Sequence, residues 1–357
     1  MKGANNIYVV AYGFKLNGNI KDIRPFGEGH INSTFLIETD KDKYILQKIN
    51  HNIFKNVDDL MNNIKVVTSF ISLKGKESMK VVATKEDKLY LKDGEDYYRV
   101  LEFVKDTECY QEVGSNLELV RSEGEAFGEL HYLLSDLDVS LIKEVIPDFH
   151  NTEKRFLNFL KAKESASTDK LESAKKEIEY IENHEYTYSR IYDEIRKNNI
   201  KTRIIHNDTK INNVLFDKKT GLYRCVIDLD TVMPGSVLFD IGDAFRSLFT
   251  GDNEDNKNTS LLKVNFEVFK AFISGYLSKM KNELSKTEIE LIPFSIYLMT
   301  IECGIRFLED YLRGNVYFHV TYEKHNLIRA KTQIALADNV LSNIKELNRI
   351  VEELINE

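Results

Sequence analysis

Residues 203–217 read Arg203-Ile-Ile-His206-Asn207-Asp208-Thr209-Lys210-Ile211-Asn212-Asn213-Val214-Leu215-Phe216-Asp217, and the same texture returns at Tyr223-Arg-Cys-Val-Ile-Asp228-Leu229-Asp230. An apolar strand runs into His206, a polar loop carries Asp208, Lys210 and Asn213, a second apolar strand follows, and a third apolar run ends at Asp228. Polar groups therefore gather where strands end. Phosphoryl transfer from a nucleotide needs a carboxylate to accept the alcohol's proton, oxygen ligands for Mg²⁺, a cation on the moving phosphoryl group, and alignment. Asp208 is the candidate base, Lys210 the candidate cation, and Asn213 and Asp228 the candidate Mg²⁺ ligands. Asp230, two residues beyond Asp228, is either a further metal ligand or a solvated turn residue. Hard oxygen ligands suit Mg²⁺ better than zinc, and no His or Cys pair competes for the site.

Outward from this stretch, the first hundred residues read as strands with one helix. Thr34–Thr39 and Lys43–Lys48 are short β-rich runs around the polar Asp40-Lys41-Asp42, which predicts a hairpin. Asn56 is placed to cap a helix, since Leu60, Ile64 and Val67 share a face and Asp58 and Asp59 sit in the first turn. Lys88–Lys92 and Tyr97–Phe103 are further strands, joined through Asp93-Gly94. After about Thr107 the pattern becomes helical. Steps of three and four from Leu171 to Ile195 predict one long amphipathic helix with His184 on its face, and later helices are expected over 264–281, 286–313 and 322–356. The fold class expected is α+β and bilobal, with 1–104 as a small antiparallel-sheet lobe and 105–357 as a larger helical lobe. The ligand site is then expected in the cleft between them.

Composition narrows the function further. The 357 residues are 42% hydrophobic and 30% charged with 4 Pro, an ordinary globular mixture. Lys+Arg 49 against Asp+Glu 57 leaves a net charge of −8, which argues against a broad basic face for nucleic acid or anionic lipid. The distant Cys109, Cys225 and Cys303 make no CxxC and fit a reducing compartment. The opening MKGANNIYVVAYGF is too weakly apolar for a leader, and Thr300, Glu302 and Arg306 interrupt the most apolar later run, Phe294–Leu308. A cytoplasmic protein without a membrane span is expected.

The two loops together, His206-Asn-Asp208-Thr-Lys210-Ile-Asn-Asn213 and Ile227-Asp228-Leu-Asp230-Thr, resemble the catalytic and metal loops of the aminoglycoside/choline kinase-like phosphotransferases, a branch of the protein-kinase fold. Within that branch the chain is most similar to the N-acetylhexosamine 1-kinases, with support from Pro25-Phe-Gly27-Glu-Gly29-His30-Ile-Asn32, Ile45-Leu-Gln-Lys48-Ile-Asn50-His51, Asp230-Thr-Val-Met-Pro234-Gly235 and Glu302-Cys-Gly-Ile-Arg306-Phe-Leu. The resemblance spans nearly the whole chain. It implies ATP as co-substrate, Mg²⁺ as cofactor, Asp208 as base, Asn213 and Asp228 as metal ligands, and Lys48 on the α/β-phosphates. Lys48 also ends an apolar strand, which would project its ammonium near the cleft; the plainer reading is an exposed strand-end lysine. The resemblance further implies a phosphate-covering loop with Gly29 and Asn32, His30 and Asn32 bordering nucleotide and sugar, and backbone contacts from Glu102 and Val104 to adenine. His206 and Asp240 would brace the base, although Asp240 and Asp243 also fit helix-start charges. Arg306 and Tyr317 would line the sugar pocket with Asp208, although Glu302 and Arg306 also fit a helical ion pair.

Two departures stand out. The helix beginning Val57-Asp-Asp-Leu-Met-Asn-Asn-Ile-Lys65 has no Glu to pair with a strand lysine, so Asp59, Asn62 or Asn63 must serve instead. Asp228-Leu-Asp230 stands where protein kinases carry DFG, which fits a small-molecule kinase. Competing readings are a kinase of the same fold for choline, an aminoglycoside, homoserine or methylthioribose, and a catalytically silent nucleotide-binding module.

Overall fold

The computed structural model describes residues 2–27, 32–250 and 262–357. Gly29 and His30, singled out in the sequence, lie outside the described residues. Helix α1 (Lys2–Tyr12) precedes an antiparallel sheet of β1 (Ile20–Pro25), β2 (Ser33–Thr39), β3 (Lys43–Ile49), β4 (Val81–Val82), β5 (Leu91–Asp93) and β6 (Asp96–Glu102), in the order β1-β2-β3-β6-β4 with β5 also on β6. The predicted hairpin forms, with Glu38 opposite Lys43. The second turn sits one residue later than expected. Asp93 pairs with Asp96, so the loop residues are Gly94 and Glu95, with Gly94 at φ +61°.

Strands β3 and β6 are apolar on both faces, and this decides where the sheet packs. Tyr44, Leu46, Tyr98 and Val100 bury one face under α1 with Val10, Ala11 and Phe14. Ile49 and Leu101 bury the other face with α2 (Val57–Leu73), whose Leu60, Ile64 and Val67 belong to the main core. Asn56 caps α2, its side chain accepting from Asp59 N at 3.2 Å, an interaction of about 1 kcal/mol.

Beyond β7 (Thr107–Glu108) the chain forms α3 (Leu117–Leu134), α4 (Thr152–Ser165), α5 (Thr168–Ser173), α6 (Lys175–Asn183) and α7 (Arg190–Arg196). It then forms β8 (Arg203–Ile205), β9 (Val214–Asp217), β10 (Tyr223–Val226), β11 (Met233–Gly235), α8 (Val237–Thr250), α9 (Phe266–Met280), α10 (Lys286–Arg313), α11 (His325–Ser342) and α12 (Ile344–Asn356). Strands β10-β9-β7 and β11-β8 make two small sheets embedded in the helices. The architecture is therefore a small antiparallel sheet followed by a larger helical body, as the sequence predicts.

The single helix expected from Leu171 to Ile195 is broken. The His184 ring takes the Tyr180 carbonyl at 2.7 Å and the Tyr188 hydroxyl donates to the Ile181 carbonyl at 2.8 Å. Side chains thus satisfy carbonyls that a continuing helix would have used. The last predicted helix likewise divides at Asn343. Helix α10 is, by length and composition alone, long and apolar enough to cross a membrane, contrary to expectation, yet 89% of its most apolar window is buried within the protein. It is a core helix, started by a Ser285/Glu288 capping box and ended by Gly314 at φ +99°.

Helices α3 and α9 cross with almost no gap. A Cβ on Gly124 would lie 2.2 Å from the Phe272 carbonyl oxygen, and one on Gly275 would lie 2.1 Å from that of Arg121. Both clashes are with backbone, so no rotamer change relieves them. Gly124→Ala gains about 1 kcal/mol of helix propensity but forces the helices apart at a cost of about 1–3 kcal/mol or more. The expected result is a lower unfolding temperature, read by calorimetry; an unchanged or raised one would contradict this packing.

Candidate active site

Strand β8 is buried along its length and delivers His206 to the loop. From α8, Asp240 accepts the His206 N–H through Oδ2 and the Asn207 N–H through Oδ1, both at 2.7 Å, and pairs with His131 Nε2 at 2.8 Å. Burial alone would raise the Asp240 carboxyl, but the His131 hydrogen bond and charge, His206 and the backbone donor hold it below the usual carboxylate range. The Asp240 carboxylate thus caps the loop that leads to Asp208. Thr231 Oγ1 donates to the His206 carbonyl at 2.7 Å and Asn207 Nδ2 donates to the Thr231 carbonyl at 2.8 Å, so the two polar loops are stitched together. His206 donates from Nε2 to the Ile227 carbonyl at 2.9 Å and accepts the Asp208 N–H at Nδ1.

Asp208 emerges from this framework. Its Oδ1 is 2.8 Å from Lys210 Nζ and its Oδ2 is 3.2 Å from Asn213 Nδ2, which also donates to the Asp208 carbonyl at 2.8 Å. Desolvation in the cleft is the largest single influence on Asp208 and pushes it up. Lys210, with His206 and Arg246, more than offsets this, and the carboxyl stays below its ordinary value. The Asn213 amide nitrogen is committed to Asp208, and its oxygen has no protein donor among the described residues, as a metal ligand requires.

Asp228 follows β10 in the left-handed region at φ +58° and has no hydrogen-bond or ion-pair partner among the described residues. It is exposed, and the carboxylates of Asp230 and Asp208 act on it. Desolvation, then Asp230 and Asp208, push its carboxyl up to about 7 against Arg99 and Lys210. An unpartnered carboxylate in repulsive surroundings is chemistry that a hard divalent cation relieves. Asp230 is not a solvated turn residue. It is buried, 2.5 Å from Arg99 Nη1 and 2.7 Å from Asn32 Nδ2, while Asn32 Oδ1 accepts the Asn50 N–H at 2.9 Å.

Lys48 does not project where the sequence reading put it. Side chains alternate along β3, and Lys48 shares the α1-facing side with Tyr44 and Leu46, pairing with Asp96 at 2.7 Å. The inward face carries Gln47, and from β6 the fully buried Arg99, whose Nε donates to Gln47 Oε1 at 2.9 Å. Arg99, not Lys48, is the cation between the sheet and the loop of Asp228 and Asp230, and its acid is Asp230, not Asp59, Asn62 or Asn63. At the connector, the Glu102 N–H is bonded to the Lys80 carbonyl and the Val104 carbonyl accepts from Thr107 Oγ1. The Val104 N–H has no partner among the described residues.

On the far side of Asp208, Glu302 does not pair with Arg306. It binds His150 and Thr152, at 2.9 and 2.6 Å. The Arg306 guanidinium instead lies 5.8 Å from the Phe149 ring and 5.6 Å from the Phe318 ring. Nearby Arg155 donates to the Phe149 carbonyl at 2.9 Å, and its buried Nε has no partner. Burial and the Arg306 charge hold it below the usual guanidinium range. Tyr317 is exposed, its ring edge-on to Phe318 at 4.8 Å. Sequence reasoning missed Arg99, Gln47, His150 and Arg155; Gln47 lies beside Lys48 in the string Ile45–His51, and the other three carry no local signal.

The two cations of the sheet are separable by experiment. Arg99→Met strands the buried Asp230 carboxylate and should destabilise by about 3–5 kcal/mol, whereas Lys48→Met removes an exposed pair of at most about 1 kcal/mol. Chemical denaturation reads both, and equal losses would contradict the assignment.

The phosphotransferase enzyme family, APH, matches residues 22–262. Solved structures with the same fold include a microcompartment-associated aminopropanol kinase (15% identity, 95% of this chain and 98% of that chain covered, TM-score 0.61). A choline kinase from Cryptosporidium parvum (14%, 99% and 99%, 0.60) and a spectinomycin phosphotransferase in complex with ADP and its antibiotic (14%, 98% and 98%, 0.58) are similar too. The chain therefore belongs to the phosphotransferase enzyme family, with the protein-kinase-like fold that the family's solved members share.

Proposed function

We propose that this phosphotransferase uses ATP and Mg²⁺ to phosphorylate the anomeric C1 hydroxyl of an N-acetylhexosamine, N-acetylglucosamine or N-acetylgalactosamine. In this reading residues 1–104 form the nucleotide lobe and end in the hinge, and 105–357 form the lobe that carries base, metal ligands and sugar pocket. The observation that carries the acceptor class is the state of the arginines beyond Asp208. Acceptors such as choline, ethanolamine or an aminoglycoside are cations and want carboxylates or an aromatic cage. Here the aromatic pair Phe149 and Phe318 already holds a cation of the chain's own, Arg306, and Arg155 adds a second guanidinium with no carboxylate partner among the described residues. Two unpaired guanidiniums repel a cationic acceptor and donate to an uncharged carbonyl, such as that of an acetamido group. Tyr317 offers a ring face and a hydroxyl to a sugar.

In this reading each residue has a distinct role. Asp208, kept ionised by Lys210, orients the acceptor hydroxyl and takes its proton as the phosphoryl group arrives. Lys210 stands beside it to offset the phosphoryl charge. Asn213 and Asp228 would hold Mg²⁺, which when bound neutralises the terminal phosphates. Asp230 is engaged by Arg99 and supports that site from behind. The Val104 N–H is free to meet the adenine edge.

A panel of free sugars, choline, aminopropanol and aminoglycosides with MgATP, read by ³¹P NMR, should give a sugar 1-phosphate from N-acetylhexosamines. Phosphorylation of the amines alone would overturn the acceptor class. Asp208→Asn should lower kcat by about 10²–10⁴-fold with nucleotide affinity kept, and near-normal turnover would remove Asp208 from the base role. Since Asp228 has a pKa of about 7 without metal, a proton competes with the cation below that value. Affinity for Mg²⁺ or Mn²⁺ should weaken about tenfold per pH unit on the acid side and level off on the alkaline side, by calorimetric titration. A flat profile would contradict a raised Asp228 carboxyl at the cation site.

A further inference from the structure

A buried imidazole reaches the catalytic loop from a stretch that no motif marks. His150, just ahead of α4, has Nδ1 2.9 Å from Glu302 Oε1 and Nε2 3.2 Å from the carbonyl oxygen of Asn207. The other Glu302 oxygen accepts the Thr152 hydroxyl at 2.6 Å. His150 is 7% exposed and Glu302 1%. A carboxylate and a backbone carbonyl only accept, so both ring nitrogens carry protons and the ring is an imidazolium. Phe149 and Phe239 wall it in at 4.6 and 5.8 Å.

The bond to Asn207 falls at a strained place. Asn207 is a non-glycine residue at φ +66°, a conformation costing about 1–2 kcal/mol. Asp208 comes next in the chain. The peptide joining them is held at both ends, its oxygen by His150 and its N–H by His206 Nδ1 at 3.3 Å. Glu302 lies one helical turn before Arg306 on α10.

We infer that His150 and Glu302 act as a positioning pair: they set the peptide ahead of Asp208 and hold the Arg306 side of α10 in register with it. This rests on the reading of Asp208 as the base.

The groups facing the pair are Glu302 and, from α8, Asp243, with Arg155 from α4 and Tyr192 from α7 acting on Glu302. Burial, the largest influence, pulls the imidazole down, but Glu302, Asp243 and the Asn207 carbonyl outweigh it and hold the ring above its ordinary value. The charged pair therefore persists to higher pH than an ordinary imidazole would allow and is lost as pH rises through that raised value.

The test combines ¹⁵N NMR of the histidine rings with pH profiles using N-acetylglucosamine and MgATP. In the wild-type protein both His150 nitrogens should be protonated at neutral pH, and the Asp208 amide resonance should move when the ring titrates. A neutral ring, or an Asp208 amide indifferent to it, overturns the inference whatever the acceptor proves to be. Glu302→Gln should lower kcat about tenfold, leave the KM for ATP unchanged, and shift the alkaline fall in activity to lower pH. His150→Gln should abolish that alkaline limb. Profiles that coincide with wild type overturn the positioning role. Should Asp208→Asn remain active, the base assignment fails instead, while the NMR result still reports on the pair.

Discussion

One buried carboxylate organises the active region. Asp240 takes two consecutive backbone N–H groups, those of His206 and Asn207, and a buried histidine, His131, in a setting where an unpaired charge would be costly. Its own carbonyl accepts the Thr209 hydroxyl at 2.6 Å, so α8 grips the loop on both sides of Asp208. The first turn of a helix is a stiff place to mount a carboxylate, and α8 packs closely on α10. Gly242 allows this approach, since a Cβ there would meet the Ser295 carbonyl oxygen at 2.3 Å. The position of Asp208 is thereby tied to the core helix that also carries Glu302 and Arg306. Sheet and helical body meet in a second buried contact, Arg99 with Asp230, which reaches the metal loop from β6. Asn32 joins the same carboxylate from the start of β2, so the strand that follows residues 28–31 is linked to the candidate metal site by one hydrogen bond.

Much of this was legible in the sequence wherever function is local. His206, Asp208, Lys210 and Asn213 lie within eight residues, and two apolar strands bracket them, so spacing alone brought them together. The helix cap at Asn56 and the hairpin of β2 and β3 were legible for the same reason. Legibility failed where the deciding fact was a choice of face. Both faces of β3 are apolar, Tyr44 and Leu46 on one and Ile45 and Ile49 on the other, so alternation could not say which looked toward α2. A terminal lysine is then the natural candidate for the inward cation, while Arg99 on the neighbouring strand β6, opposite Gln47, carries no such signal. The same holds for Glu302, whose i,i+4 neighbour Arg306 is available by spacing, while the group it binds, His150, is 152 residues distant in sequence. Long-range buried partners leave no periodic trace. The long helix predicted over 171–195 failed differently: its hydrophobic steps are real, but His184 and Tyr188 offer side-chain partners to the carbonyls and let the chain bend.

The net charge of −8 says little about the site, because the charges that matter there are matched locally. Asp240 is matched by His131, Glu302 by His150, Asp230 by Arg99 and Asp208 by Lys210. Against this pattern of pairing, the groups left over are informative. One is Asp228, a carboxylate with no hydrogen-bond or ion-pair partner among the described residues, repelled by Asp230 and Asp208. The others are Arg306, flanked by two rings, and Arg155, whose buried Nε has no acceptor among the described residues. The Arg155 Nε is buried, and burial without a partner is destabilising unless something else completes it. The leftover groups differ in sign, a carboxylate and two guanidiniums. In the proposed reading a cation-bridged phosphate would complete the carboxylate and an uncharged, carbonyl-bearing alcohol would complete the guanidiniums. Asp208 would then act where the two meet, as transfer of a phosphoryl group between them demands.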